Sequence, residues 1–149
     1  MTRDERRQDS LKCLERCGLR VVEESVSQHD TQPVSAAIYA VTGFDVQPTA
    51  VVPASSPHAA HELDEKWHQY SSAGSLYDDR GAFLILPPVS GGSEIGWVKV
   101  TDPIGEHLPS RISAVTGSPE FLTMSTDGRH LCAVSVEEDE YWVVQHEFV

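Results

Sequence analysis

From Pro119 to Val149 the apolar and polar positions predict a three-stranded antiparallel meander, and the rest of the chain can be ordered around it. Asp127-Gly128 separates two β-prone runs, and a two-residue type I′ turn needs φ > 0 at both positions, which Asp-Gly tolerates. With those residues as the loop, Thr126 faces Arg129, Met124 faces Leu131 and Leu122 faces Ala133. A four-residue acidic loop, Glu137-Glu138-Asp139-Glu140, then sets Val136 opposite Tyr141 and Val134 opposite Val143. Side chains alternate with a period of two. One face therefore carries Leu122, Met124, Leu131, Ala133, Trp142 and Val144, and the other Phe121, Thr123, Cys132, Val134, Val136, Tyr141 and Val143. Both are largely apolar, whereas a sheet with one solvated face alternates apolar with polar. Either the sheet is covered on both sides, or one face meets a partner.

Thr2 and Glu5 have capping-box spacing, and a helix follows to about Cys17 with Leu11, Leu14 and Cys17 inward and Gly18 as its stop. Leu19 to Glu24 suits a strand, and the stretch from Ser25 to Gln32 is polar and turn-like. Over 33–42, Val34, Ala37, Ile38 and Val41 share a helical face, although Val, Ile, Tyr and Thr also favour strands. Pro33 in a first turn and Gly43 at the stop favour the helix. After a short strand at Ala50 to Val52, Ser56 as N-cap, Pro57 at N1 and a stripe of Ala60, Leu63, Trp67 and Tyr70 predict the clearest helix. Ser71 to Gly81 is a polar loop. The apolar run Ala82 to Leu86 predicts a buried central strand, stopped by Pro87-Pro88. Gly91-Gly92-Ser93 predicts a hairpin-type turn into a strand over Ile95 to Val100. A helix from Pro109 to Thr116, with Ile112 and Val115 inward, keeps Pro109 out of a helix interior.

Together these elements predict one α+β domain over residues 1–149. Its sheet is mainly antiparallel and ends in the meander, with three to four helices packed on it. The length allows a core without disulfide staples.

The net charge of −12 argues against nucleic acid or an anionic membrane as partner, since both are bound through Lys and Arg. It suits docking on another protein's basic surface, where complementary charge speeds association. No apolar run is long enough to span a bilayer, and the first residues lack the apolar core of a signal peptide. Three cysteines do not make a secreted disulfide framework. The expected compartment is the cytoplasm.

Candidate chemistry is sparse. His61, Glu65 and His68 line one helix face, and two imidazoles with a carboxylate suit a transition metal. The spacing is not His-Glu-x-x-His, and no second Glu-x-x-His completes a di-iron set, so a solvated face is the simpler reading. His130 and Cys132, two apart on a strand, are separated by about 7 Å. A thiolate–imidazole pair needs about 3 Å. Cys13 and Cys17 lack a second ligand pair. No catalytic residue, cofactor or P-loop follows from the pattern.

The acidic cluster remains: Glu137, Glu138, Asp139 and Glu140 repel one another unless cations come near, and they adjoin Tyr141 and Trp142, residue types enriched at binding hot spots. Glu137 to Tyr141 are the expected partner-binding residues, with Asp78 and Asp79 second. The leading expectation is an acidic protein-binding or regulatory protein without catalysis. By electrostatic analogy it would act as an immunity- or antitoxin-like inhibitor covering a basic partner. The alternatives are a metal-dependent or small-molecule enzyme using the His61, Glu65 and His68 face, and a self-associating subunit, such as a homodimer, that buries an apolar face.

Overall fold

The computed structural model describes residues 2–24, 26, 32–43 and 45–148. Five helices, α1 (Arg3–Arg16), α2 (Val34–Thr42), α3 (Ala59–Ala73), α4 (Gly92–Ile95) and α5 (Leu108–Thr116), alternate with seven strands. The strands are β1 (Arg20–Glu23), β2 (Ala50–Pro53), β3 (Ala82–Ile85), β4 (Val98–Thr101), β5 (Phe121–Met124), β6 (His130–Val136) and β7 (Glu140–Glu147). They form one antiparallel sheet in the order β1-β4-β3-β5-β6-β7-β2. The interior of the sheet is built from β3 to β7, and the two earliest strands in the chain lie at its opposite edges. The α+β class and the antiparallel sheet are as the pattern predicts.

The meander has the predicted register. Leu122 pairs with Ala133, Met124 with Leu131, Val134 with Val143 and Val136 with Tyr141. Both turns differ from expectation. Asp127 does not take a positive φ, and only Gly128 does, at 74°. The Gly128 N–H donates to the Ser125 carbonyl and the Ser125 N–H to that of His130, so Thr126 to Arg129 form a four-residue loop in which Thr126 and Arg129 are unpaired. The Asp127 carboxylate accepts the Ser125 hydroxyl and the Arg129 N–H, which organises this loop in place of a type I′ turn. At the other turn the Glu137 N–H reaches the Glu140 carbonyl at 2.8 Å, leaving Glu138-Asp139 as a two-residue tip. Each difference moves one residue on either side of the turn, so the register is untouched.

Three helices cover one face of the sheet. Leu11 and Leu14 of α1, Leu63 and Trp67 of α3 and Ile112 of α5 pack with Phe83, Val98, Phe121, Val134 and Val143. Trp67 meets Phe121 edge-on with centroids 4.7 Å apart, a geometry favoured by the ring quadrupoles. Among the described residues the one helix on the other face is α2, whose Ala37 and Val41 lie over Leu84, Met124, Leu131, Ala133 and Val144, with Val46, Trp97 and Phe148 beside them. β3 is therefore buried at every position, which accounts for its unbroken apolar run in an antiparallel setting.

Helix α1 has its capping box at Thr2 and Glu5, and it ends in a Schellman stop with Gly18 at φ 88° and the Leu19 N–H on the Leu14 carbonyl. In α2, Pro33 occupies the N-cap rather than the first turn, and Gly43 leaves the helix in extended conformation. Helix α3 begins at Ala59, later than expected, because Ser56 accepts the His58 N–H and donates to Glu62, which tightens the preceding turn instead of capping. Its inward stripe is Ala59, Leu63, Trp67 and Tyr70, with Ala60 exposed. Gly91 to Ser93 do not form a hairpin turn. They lead through the single helical turn α4, and the strand starts only at Val98. A Cβ at Gly92 would overlap the Pro87 carbonyl oxygen, so this turn needs glycine. Helix α5 points Ile112 and Val115 to the core as expected. Of the polar stretch 25–32, only residues 26 and 32 are among those described.

Candidate docking surface

The uncovered part of the α2 face is a cross-strand row at one end of the sheet: Ser135 of β6, Trp142 of β7 and Val51 of β2. Ser135 is buried, Trp142 half-buried and Val51 42% exposed. Directly beyond this row is the Glu137–Glu140 turn. On the opposite face, half-buried Tyr141 pairs with Val136, which is 39% exposed. The acidic tip thus has apolar side chains on both sides.

Hydrogen bonds hold the turn in place. Glu137 accepts the Ser135 hydroxyl at 3.0 Å, Glu140 accepts the Trp142 indole N–H at 2.7 Å, and the Asp139 carbonyl accepts the Ala54 N–H. Glu120 adds a fifth carboxylate by accepting the Val136 N–H. Among the described residues none of these five groups forms an ion pair. Glu138 and Asp139 at the tip are exposed and make no side-chain hydrogen bond among those residues. The turn is thus held by its own hydrogen bonds while its two tip carboxylates project from it.

Asp78 and Asp79 do not share this surface. They precede Ala82 at the start of β3, the opposite end of the sheet, because β3 runs antiparallel to β5 and β6 ends at the acidic turn. Asp78 is also occupied, since its carboxylate accepts the N–H groups of Arg80 and Ala82 at 2.9 and 2.8 Å. Desolvation pushes this carboxyl up, but those bonds, with help from Lys99 and Thr126, hold it below the usual range. Asp79 is exposed.

His61 Nε2 lies 2.9 Å from Glu65 on the exposed side of α3. Among the described residues no three His, Cys, Asp or Glu side chains converge as a metal-ligand group, so His68 does not complete a set with that pair. All three cysteines are buried. Burial, with the neighbouring Cys13 thiol, pushes Cys17 up to about 12, and burial also raises Cys13 and Cys132. Such thiols are neutral near pH 7 and poor nucleophiles.

Sequence reasoning missed Asp64, which is 6% exposed on α3 and accepts the Ser110 N–H at 2.9 Å, the Ser110 hydroxyl at 2.6 Å and His107 Nδ1 at 3.3 Å. The three residue types are those of a hydrolase triad, but the carboxylate is the hub. The serine hydroxyl donates to Asp64 and not to the imidazole, so this geometry caps α5 and does not generate a nucleophile. A signal was present: α5 opens with His107-Leu108-Pro109, and His107 makes no side-chain cap, which leaves its first N–H groups to an outside acceptor. Arg111 was missed as well. It pairs with Asp102 at 2.6 Å and donates to the carbonyls of Cys17 and Glu106, which joins α1 to α5.

A groove of about 890 Å³ runs between α1, α2 and the segment after β3, lined by Lys12, Arg16, Asp9 and Glu120 together with Leu86 and Phe121. It holds two charges of each sign and no nucleophile paired with a base. Comparison with known proteins finds no matching family model, and no curated protein or solved structure significantly similar to the chain.

Proposed function

We propose that the protein is a binding protein that docks on a basic partner through the Glu137–Glu140 turn and the adjoining Trp142–Val51 row, with no chemistry of its own. The observation that carries this reading is five carboxylates that form no ion pair among the described residues, set beside apolar side chains that α2 leaves open. An apolar centre with a charged rim is the usual anatomy of a protein interface. Occlusion of a basic active site, as an immunity- or antitoxin-like inhibitor does, is the role that fits, with the cytoplasm as compartment. No helix among the described residues is long and apolar enough to cross a membrane.

The test is capture of a partner at low salt, followed by stopped-flow association with wild type and with Glu138→Lys/Asp139→Lys. These two side chains are exposed and make no hydrogen bond or ion pair among the described residues, so the variant stays folded. Its association rate drops by about tenfold or more at low salt and converges on wild type at high salt. Equal rates for the two proteins at every salt concentration would refute the reading.

A further inference from the structure

β7 is longer than the edge strand that covers it. β2 pairs with Glu140 to Val143, and beyond Thr49, whose N–H reaches the Val143 carbonyl at 2.8 Å, no strand among the described residues pairs with the outer side of Val144 to Glu147. The carbonyls of Asp139 and Val143 point to the β2 side, whereas the Phe148 N–H points to Arg129 and the β6 side. Backbone groups of alternate residues face alternate sides in such a ladder. Gln145 and Glu147 therefore direct theirs outward. The Gln145 N–H is taken by the Thr49 hydroxyl at 3.0 Å, while the Gln145 carbonyl and the Glu147 N–H have no partner among the described residues.

A groove lies on either side of this overhang. On the α2 side, about 530 Å³ is bounded by Tyr39, Val46, Val144, His146 and Phe148. On the α3 side, about 330 Å³ is bounded by Gly74, Ser75, His130, Gln145 and Glu147. One is mainly apolar, and the other is polar with a carboxylate. Successive side chains of a strand beside Gln145 to Glu147 would enter the two in alternation.

We infer that the β7 overhang is a strand-addition site for an extended peptide segment of a partner, with an apolar side chain opposite His146 and basic ones opposite Gln145 and Glu147. Main-chain hydrogen bonds supply affinity in this mode and the alternating grooves supply selectivity. The charge of −12, with Glu147 at one groove and Asp45 at the other, sets the preference for a cationic segment. The site lies at the end of β7 away from the acidic turn, so it does not depend on the docking surface proposed above.

The probe is the blocked peptide acetyl-Lys-Phe-Lys-Val-Lys-amide, followed by amide NMR and hydrogen exchange on the full chain. Binding shifts resonances in 36–43, 45–47 and 144–148 and slows exchange of the Glu147 N–H by about tenfold, as one new hydrogen bond would. Glu147→Pro removes that donor without touching the β6 ladder and weakens the peptide by about tenfold, whereas Glu138→Lys/Asp139→Lys leaves those shifts in place. The site is overturned if no shifts arise at millimolar peptide, or if the peptide binds without slowing the Glu147 amide. Equal binding of a peptide with the same composition but adjacent Phe and Val overturns it too. So does protection of the Glu147 amide that grows with protein concentration alone, which would give the edge to a second copy of the chain.

Discussion

The two ends of the sheet carry the same kind of side chain for different ends. At the Asp78 and Asp127 end each carboxylate accepts hydrogen bonds from its own loop: Asp78 from two backbone N–H groups, and Asp127 from the Ser125 hydroxyl and the Arg129 N–H. At the Glu137–Glu140 end the two tip carboxylates accept nothing among the described residues, while their neighbours are held in place. Acidity is therefore not one property of this chain. Carboxylates that close loops are part of the fold, and the two at the tip make no side-chain hydrogen bond among the described residues. Asp64 is the extreme of the first kind, buried and serving a helix that begins on another segment.

Replacing these carboxylates should sort them by that distinction. The largest effect is expected for Asp64→Ala, which strands the N–H and hydroxyl of Ser110 and removes the cap of α5. A loss of about 3 kcal/mol follows, read as a lower urea midpoint at unchanged slope. Asp127→Ala and Asp78→Ala should each cost about 1 kcal/mol, as other local side-chain caps do.

Their pH dependence gives a second signature. For Asp127 the Ser125 hydroxyl is the main cause of a carboxyl pKa below the usual range, and for Asp78 the backbone bonds outweigh desolvation. A carboxyl depressed in the folded state stabilises above its unfolded pKa, about 3.9, and loses that contribution as pH falls through the folded value. The gap in melting temperature between wild type and either variant should therefore be full at pH 6 and shrink below pH 4. A gap that stays constant to pH 2 would mean that these carboxylates act sterically. Smallest of all, Glu138→Gln with Asp139→Asn should change stability by less than about 0.5 kcal/mol, with a slight gain at low salt as repulsion is relieved. A loss above about 1 kcal/mol would break the comparison, because a surface substitution that large implies a lost structural contact.

Much of the meander was legible because register is a sum of positions. Leu122 with Ala133 and Val134 with Val143 survive any loop change that takes one residue from each side. Turn conformation was not legible in the same way, since it was decided by where the Asp127 side chain went and not by the Asp-Gly pair itself. Four-residue α4 carries no periodicity to detect, and it exists because Gly92 sits against the Pro87 carbonyl, a contact no local pattern encodes. The stripe on α3 was placed from Ala60 in place of Ala59 for a related reason: Ser56 turned to Glu62 and delayed the helix. Of the residues in the proposed docking surface, Glu137 to Tyr141 are singled out in the sequence by charge and aromatic neighbours. Val51 is not, because its place beside Trp142 depends on β2 crossing to the far edge of the sheet.

That crossing bears on how the protein is made. β1 needs β4, and β2 needs β7, which is among the last of the described segments to leave the ribosome. Chains generally fold as they emerge, but here β1 has no partner strand until β4 is made, and β2 has none until β7 is. Among the described residues of the N-terminal third, α1 and α2 are the helices that can form before those partners exist. Pairings so distant in sequence are slow to close. A chain cut before Glu140 would leave β2 without the strand it pairs with, although β2 itself lies far upstream of the cut.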